Sequence, residues 1–389
     1  MSSRPPARLG PLYLAGFTTA FGAHGVAAAL GVETGDIGLT LLGFGVVLAL
    51  YDLAEVLLKP VFGALSDRVG VKPVIVGGLA AFAAASLIGV LLPSPIWLGV
   101  ARFAQGAAAS AFSPASSSAV ARVADPTSTG RYFGRYGSWK SLGYALGPLL
   151  GAFLVWWAGM PALFAALSVL ALGATVWVAI ALPRIPVLPR KRATLADLAR
   201  EVGERSFLVP TLVLAATTGA LGVAVGFLPL LSTHTGLGPV GGMATVTVLA
   251  LASTLVQPWA GRRHDAGRLP AGAGTATGLV AIAVGLAVAA LVPGPVTLYL
   301  AALLIGAGVG LATPLAFAHL AASTPADRMG RTMGSAELGR ELGDAAGPLI
   351  AGAVGAATTA SLGIGVVAIG VAASGAVAAS ALHGASAKE

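Results

Sequence analysis

Apolar runs, each long enough to cross a hydrocarbon core of roughly 30 Å at about 1.5 Å per residue, recur along this whole chain. Twelve can be read, near 10–30, 39–66, 73–92, 96–121, 132–157, 161–182, 207–232, 241–261, 270–292, 296–322, 332–356 and 361–382. In lipid, every backbone N–H and C=O must find its partner inside the protein, so runs of this length are expected to be helices. Only 10% of the 389 residues are charged and 56% are hydrophobic, whereas soluble domains are about a quarter charged. The expectation is an all-α integral membrane protein with twelve transmembrane helices. A soluble enzyme is excluded.

The formal net charge of +8 suggests a nucleic-acid partner until the positions are examined. Of the 23 Lys and Arg, four (Lys59, Arg102, Lys140 and Arg340) fall within spans. With the N-terminus inside, all the others fall in cytoplasmic loops, tails or helix ends, and none in external loops. This asymmetry fixes orientation, with both termini cytoplasmic, and argues against nucleic acid. The opening MSSRPPARLG lacks a signal-peptide pattern, so the first span is expected to be retained. The chain has no Cys, and therefore no disulfide or thiol chemistry.

The chain repeats itself. RYFGRYGSWKSLGYALGPLLGAF (131–153) aligns without a gap on RTMGSAELGRELGDAAGPLIAGA (331–353), matching Arg131/Arg331, Gly134/Gly334, Lys140/Arg340, Gly143/Gly343, Gly147/Gly347 and Pro148/Pro348. At the same offset of 200, Gly106 meets Gly306 and Pro114 meets Pro314. At offset 198, KPVFGALSD (59–67) meets QPWAGRRHD (257–265). Two parallel six-helix repeats are therefore predicted: a half over 1–182, a basic cytoplasmic linker over 183–206, and a half over 207–389. That is a recurrent transporter plan.

GALSDRVGVKP (63–73) resembles the signature loop of the major facilitator superfamily, written G-x-L-[AS]-D-R-x-G-R-[KR], with Gly63, Asp67, Arg68, Gly70 and Lys72 in place and Val71 where a basic residue is usual. Gly63 allows close helix approach, Gly70 a tight turn, and Asp67 can accept from a neighbouring helix N-terminus. The resemblance implies a latch between the halves. RFAQGAAASAF (102–112) is similar to the family's fourth-span motif, whose Arg, here Arg102, is linked in antiporters to proton transfer; an Arg this near the external end can also snorkel. GYALGPLLG (143–151) fits the exporters' fifth-span pattern G-x-x-x-G-P-x-x-G. Gly143, Gly147 and Gly151 share one face, and Pro148 removes a backbone hydrogen bond, making a hinge.

Two helices carry more charge than a membrane span needs. Asp52, Glu55 and Lys59 form a stripe on the second span; Glu337, Arg340, Glu341 and Asp344, at i, i+3, i+4 and i+7, form one on the eleventh. The family fold implies that these helices meet across the boundary between halves. Lys59, Glu337 and Arg340 would then form either a static ion-pair lock or, with carboxylates whose neutral form burial favours, a site that takes up the coupling proton. Asp52 and Glu55 lead as coupling groups, followed by Glu341 and Asp344, with Arg102 tuning them. His24, Trp139, Lys140 and Tyr144 are cavity candidates, Lys140 also as a contact for an anionic group on the substrate, and the hydroxyls of SPASSS (113–118) can line the same cavity. No phosphate-binding glycine loop, His/Cys metal cluster or nucleophile elbow is present, so no cofactor, metal or enzymatic chemistry is expected. The resemblance implies a monomeric, proton-coupled exporter of a small amphipathic molecule or drug in the cell membrane. The alternatives are a proton-coupled nutrient importer and a nontransporting receptor or scaffold on the same fold.

Overall fold

The computed structural model describes residues 9–33, 41–92, 94–187, 203–233, 235–292 and 294–383. Among these, the secondary structure is helical throughout. The helices are α1 (Gly10–Glu33), α2 (Leu41–Val69), α3 (Val71–Leu91), α4 (Pro95–Val123), α5 and α6 within the run Thr129–Ala181, α7 (Arg205–Thr233), α8 (Gly238–Asp265), α9 (Ala271–Leu291), α10 (Pro295–Ser323), α11 (Met329–Ala357) and α12 (Ala360–His383). The run Thr129–Ala181 breaks at Ala158 (φ −149°, ψ 23°) and Gly159 (φ 74°, ψ 177°), which separates α5 (129–157) from α6 (160–181). Gly159 supplies the left-handed φ, and Pro161 restarts a helix whose first turn needs no N–H there. Gly70 (φ 98°) makes the corresponding break between α2 and α3.

Among the described residues, seven helical runs are individually long and apolar enough to cross a membrane, against the twelve spans read from the sequence: Thr129–Ala181 counted once, and the runs of α3, α7, α8, α9, α10 and α12. The sequence reading treated every long run alike. In the structure α2 and α11 carry ionisable groups within the helix, and α4 carries Arg102, Gln105 and a row of serines. Lipid alone does not select these three helices; their polar groups need protein partners. The core of the expected linker, 188–202, lies outside the described residues.

The chain forms two compact units. The first contains 1–124, 139–190 and 325–338; α4 is central, with α1, α2 and α3 packed on it. The second contains 125–138, 191–324 and 339–389; α10 is central, with α7, α8 and α9 packed on it and α12 packed on α7 and α9. Each unit thus includes the opening turns of a helix that continues into the other: α11 changes unit between Leu338 and Gly339, and α5 between Ser138 and Trp139. A 3-10 turn precedes each of these helices, at Pro126–Ser128 and Ala326–Arg328. Asp125 caps the first, accepting from the Thr127 hydroxyl (2.7 Å) and N–H (2.9 Å). Those bonds, the hydroxyl's foremost, hold its exposed carboxyl below the usual carboxylate range.

Candidate functional site

In the first unit, the α11 opening is fixed on α2 by Asp67. One carboxylate oxygen accepts from the N–H of Gly330 and the other from that of Arg331, each at 2.8 Å. These are orphan donors of a helix N-terminus, where a negative charge is also favoured by the helix dipole. Gly63 lets the helices approach: a Cβ there would lie 3.0 Å from the Gly334 Cα. The other loop residues do different work. Lys72 donates to the Leu182 carbonyl at 2.6 Å, tying α3 to the end of α6, Gly70 makes the turn, and Arg68 is exposed.

Two turns along α11 from this anchor, Glu337 is fully buried. Its Oε2 lies 3.6 Å from Lys140 Nζ and 3.9 Å from Lys59 Nζ, and its Oε1 accepts from the Ser117 hydroxyl at 3.0 Å. Lys59 also pairs with Glu55, one turn earlier on α2, at 3.2 Å. Glu55, Lys59, Lys140 and Glu337 are all under 7% exposed. At an effective dielectric of about 20, each contact gives roughly 4 to 5 kcal/mol of attraction. Burial costs several kcal/mol per ion, so the group is close to balanced and sensitive to the loss of any single charge.

On the same face of the unit, Arg102 is 2% exposed and does not reach an aqueous interface. Its Nη1 donates to Gln105 Oε1 (3.1 Å) and the Gly22 carbonyl (3.3 Å), and its guanidinium lies 4.2 Å from the Tyr51 ring centroid. Gln105 in turn donates to Ser86 (2.8 Å), which donates to the Phe82 carbonyl (2.8 Å). Tyr51, Asp52 and Glu55 contribute to the field at Arg102. Asp52 itself is exposed, unlike Glu55.

The hinge glycines of α5 sit on the backbone of α1, Gly143 against Phe17 and Ala20, and Gly147 and Gly151 against Gly25. Pro148 follows Gly147 within the helix. The His24 and Tyr144 rings meet edge to face at 4.4 Å, and Trp139, largely exposed, meets Phe17 at 6.3 Å. The four ionisable groups of α11 lie on one continuous helix, whose packing changes along it. Glu337 belongs to the first unit; Arg340, Glu341 and Asp344 belong to the second. There the Arg340 guanidinium lies over the Phe317 ring at 5.9 Å, Asp344 packs against Gly222, and Glu341 is partly exposed.

The internal repeat acts as a control for which of these residues the architecture requires. The second unit reproduces the scaffold: Asp265 accepts from the N–H of Gly130 and Arg131, each at 2.8 Å, and Gly306 sits against the Leu249 carbonyl as Gly106 sits against that of Tyr51. It does not reproduce the polar groups. Arg102, Gln105, Ser86, Tyr51 and Asp52 correspond to Ala302, Ile305, Leu286, Leu249 and Ala250. Glu55, Lys59, Ser117 and Glu337 correspond to Ser253, Gln257, Phe317 and Gly137. Gln257 donates to Ser253 at 3.1 Å, and its Oε1 fills the space a Cβ on Gly137 would take. Of the buried group, the second unit keeps only the basic position of Lys140, as Arg340, and the positions of Glu55, Lys59 and Glu337 are uncharged there. Tyr51, Gln105 and Ser86 escaped the sequence reading, and Ser117 was read only as lining. The signal was available in positions that are polar in one repeat and apolar in the other.

The Major Facilitator Superfamily model matches residues 12–348. The chain is 38% identical over 141 residues to the inner membrane transport protein YajR of Escherichia coli K12, covering 34% of this chain and 30% of that protein. It is 35% identical over 154 residues to a chloramphenicol resistance protein of Pseudomonas aeruginosa, covering 38% and 35%. The matched stretches thus span about a third of these relatives. The crystal structure of the human organic anion transporter MFSD10 superimposes with a TM-score of 0.79 at 20% identity, over 96% of this chain and 100% of that one, and so shares the fold. Twelve helices among the described residues, the 63–73 loop docked on a helix N-terminus and the match over most of its length agree: the chain belongs to the Major Facilitator Superfamily.

Proposed function

We propose that this transporter is a proton-coupled exporter of a small amphipathic molecule, working by alternating access between two six-helix halves joined by the 183–206 linker. The observation that carries this reading is the buried Glu55–Lys59–Glu337–Lys140 group, three of whose four positions are uncharged in the second unit. Protonating Glu337 would remove the negative charge that both lysines face, release the α11 opening from everything but Asp67 and the glycine contacts, and so bias the conformational equilibrium. Glu55 would then hold Lys59 alone. Arg102 would set the field at Glu55 and Asp52, and Asp67 would act as the latch. Outward direction is supported by the α5 glycine face seated on α1 and by the chloramphenicol resistance protein among the relatives. The charge asymmetry of the loops supports cytoplasmic termini in the cell membrane, and the family a monomer.

The test is transport in proteoliposomes under an imposed pH gradient. Glu55→Gln and Glu337→Gln are each expected to abolish uphill movement while leaving folded protein that still exchanges substrate downhill. Normal uphill transport by both variants would overturn the assignment.

A further inference from the structure

The two oxygens of Glu337 face different chemistry. Oε2 lies 3.6 Å and 3.9 Å from the ammonium groups of Lys140 and Lys59, which have hydrogens to donate and no lone pair to offer. Oε1 lies 3.0 Å from the hydroxyl of Ser117 on α4, which can both donate and accept. A proton added at Oε2 would meet other hydrogens. One added at Oε1 would meet the lone pairs of Ser117.

Ser117 has a single hydrogen and two acceptors within reach: Glu337 Oε1 at 3.0 Å and, one turn back on its own helix, the Ser113 carbonyl at 3.3 Å. The second is the usual back-bond of a helical serine to the carbonyl four residues earlier. Turning the O–H about the Cβ–Oγ bond exchanges one acceptor for the other without moving a heavy atom. Ser117 and Glu337 are both fully buried, so water does not do this work for them. In the second unit, Phe317 stands at the position of Ser117 and Gly137 at that of Glu337, so the hydroxyl and the carboxylate are absent together.

We propose that Ser117 is a positioning residue for proton uptake at Glu337, a hydroxyl that serves both protonation states of the carboxyl and directs the proton to Oε1. With Glu337 ionised, Ser117 donates to Oε1. With a proton bound on Oε1, the new O–H donates to Ser117 Oγ, and Ser117 turns its own hydrogen to the Ser113 carbonyl. The added proton stays on Glu337, and Ser117 is neutral throughout. This role rests on Glu337 as the proton-carrying group of the transport reading above, and adds the residue that completes its neutral form. A buried O–H left without an acceptor is disfavoured roughly tenfold or more. The charged groups around the carboxyl are Lys59 and its partner Glu55 on α2, Lys140 on α5, and Arg340 and Glu341 one turn further along α11. Those charges set how readily Glu337 takes the proton; Ser117 sets where it sits.

The experiment is pH-dependent infrared difference spectroscopy on the full-length protein in lipid. The neutral-carboxyl band of Glu337 is the one lost in Glu337→Gln. In Ser117→Ala this band is expected at higher frequency than in wild type, because its O–H has lost its acceptor. In Ser117→Thr, which keeps the hydroxyl, it is expected at the wild-type frequency. Where the alanine protein does not accumulate, Ser117→Cys, a weak partner of similar size, reads the same upward shift. A Glu337 band that neither substitution moves overturns the role. Thermal unfolding separates a hydroxyl serving both states from a plain donor to the anion. Ser117→Ala should unfold about 1 °C or more below wild type both where the band is present and where it is absent. A deficit confined to the pH range without the band overturns the two-state role. Failure of the transport reading looks different: wild type shows no Glu337 band at any pH, which removes the second state and the role of Ser117 with it.

Discussion

Removing one charge from the buried group should harm the protein more than removing all four. In Glu337→Gln, Lys140 and Lys59 lose the negative charge 3.6 Å and 3.9 Å away, while Glu55 remains 3.2 Å from Lys59. An uncompensated charge at such burial destabilises by about 3 to 5 kcal/mol. The quadruple variant Glu55→Gln/Lys59→Met/Lys140→Met/Glu337→Gln removes each of the four charges together with its partners. Its side chains are close in volume to the originals, and replacing a buried ion group this way ranges from neutral to about 4 kcal/mol stabilising. The second unit is a partial precedent, since Ser253, Gln257 and Gly137 pack there without charge, while the counterpart of Lys140 is Arg340. Unfolding of the purified proteins in detergent is the assay, run beside uphill transport in proteoliposomes. The expected order of stability is quadruple variant at or above wild type and Glu337→Gln well below, with uphill transport absent from both variants. A quadruple variant less stable than Glu337→Gln would refute the argument, because it would mean that the charges hold the first unit together.

Asp67→Asn leaves one oxygen to accept from Gly330 or Arg331 and turns an amide toward the other N–H. The loss of a charge-assisted bond, about 2 kcal/mol, corresponds to roughly 30-fold more release of the α11 opening. In this cysteine-free chain, maleimide labelling of Met329→Cys, a buried position beside the latch, should speed up by that factor; an unchanged rate would count against the latch. Gly106→Ala and Gly306→Ala each drive a methyl into a carbonyl, that of Tyr51 or Leu249, and each should cost about 1 to 3 kcal/mol in thermal unfolding. Wild-type stability in either would show that the helices can separate there. Asp125 ionises more readily folded than unfolded, so its contribution is present above its ordinary pKa and is lost as pH falls through the lower folded value. Asp125→Asn should therefore flatten the acid side of the stability profile, and an unaltered profile would exclude the cap as a contributor.

The 198 and 200 offsets, read from sequence, carried the repeat and with it the fold. The hydrocarbon core made that possible, since it admits one solution for a long apolar run and leaves glycine and proline to mark the breaks. The break at Gly159 and the turn at Gly70 follow the same logic. The loop 63–73 was legible because its residues are local: Asp67 stands a fixed distance from the end of its own helix. Asp52, Glu55 and Lys59 were legible as out of place for the same reason.

Partnership was a different matter. Helical spacing places Asp52, Glu55 and Lys59 on one stripe, yet only the packing of α4, α5 and the α11 opening on α2 buries Glu55 and Lys59 while Asp52 stays exposed. Spacing also puts Glu337 and Arg340 one turn apart on one helix, and only the packing gives Glu337 the lysines and Arg340 the Phe317 ring. Sequence alone determined the helices, their repeat and the presence of ionisable groups where lipid disfavours them. Tertiary structure decided which of those groups meet, because the energy of a buried charge depends on what lies within a few ångströms in space, and residues 59, 117, 140 and 337 become neighbours only when four helices close around one carboxylate.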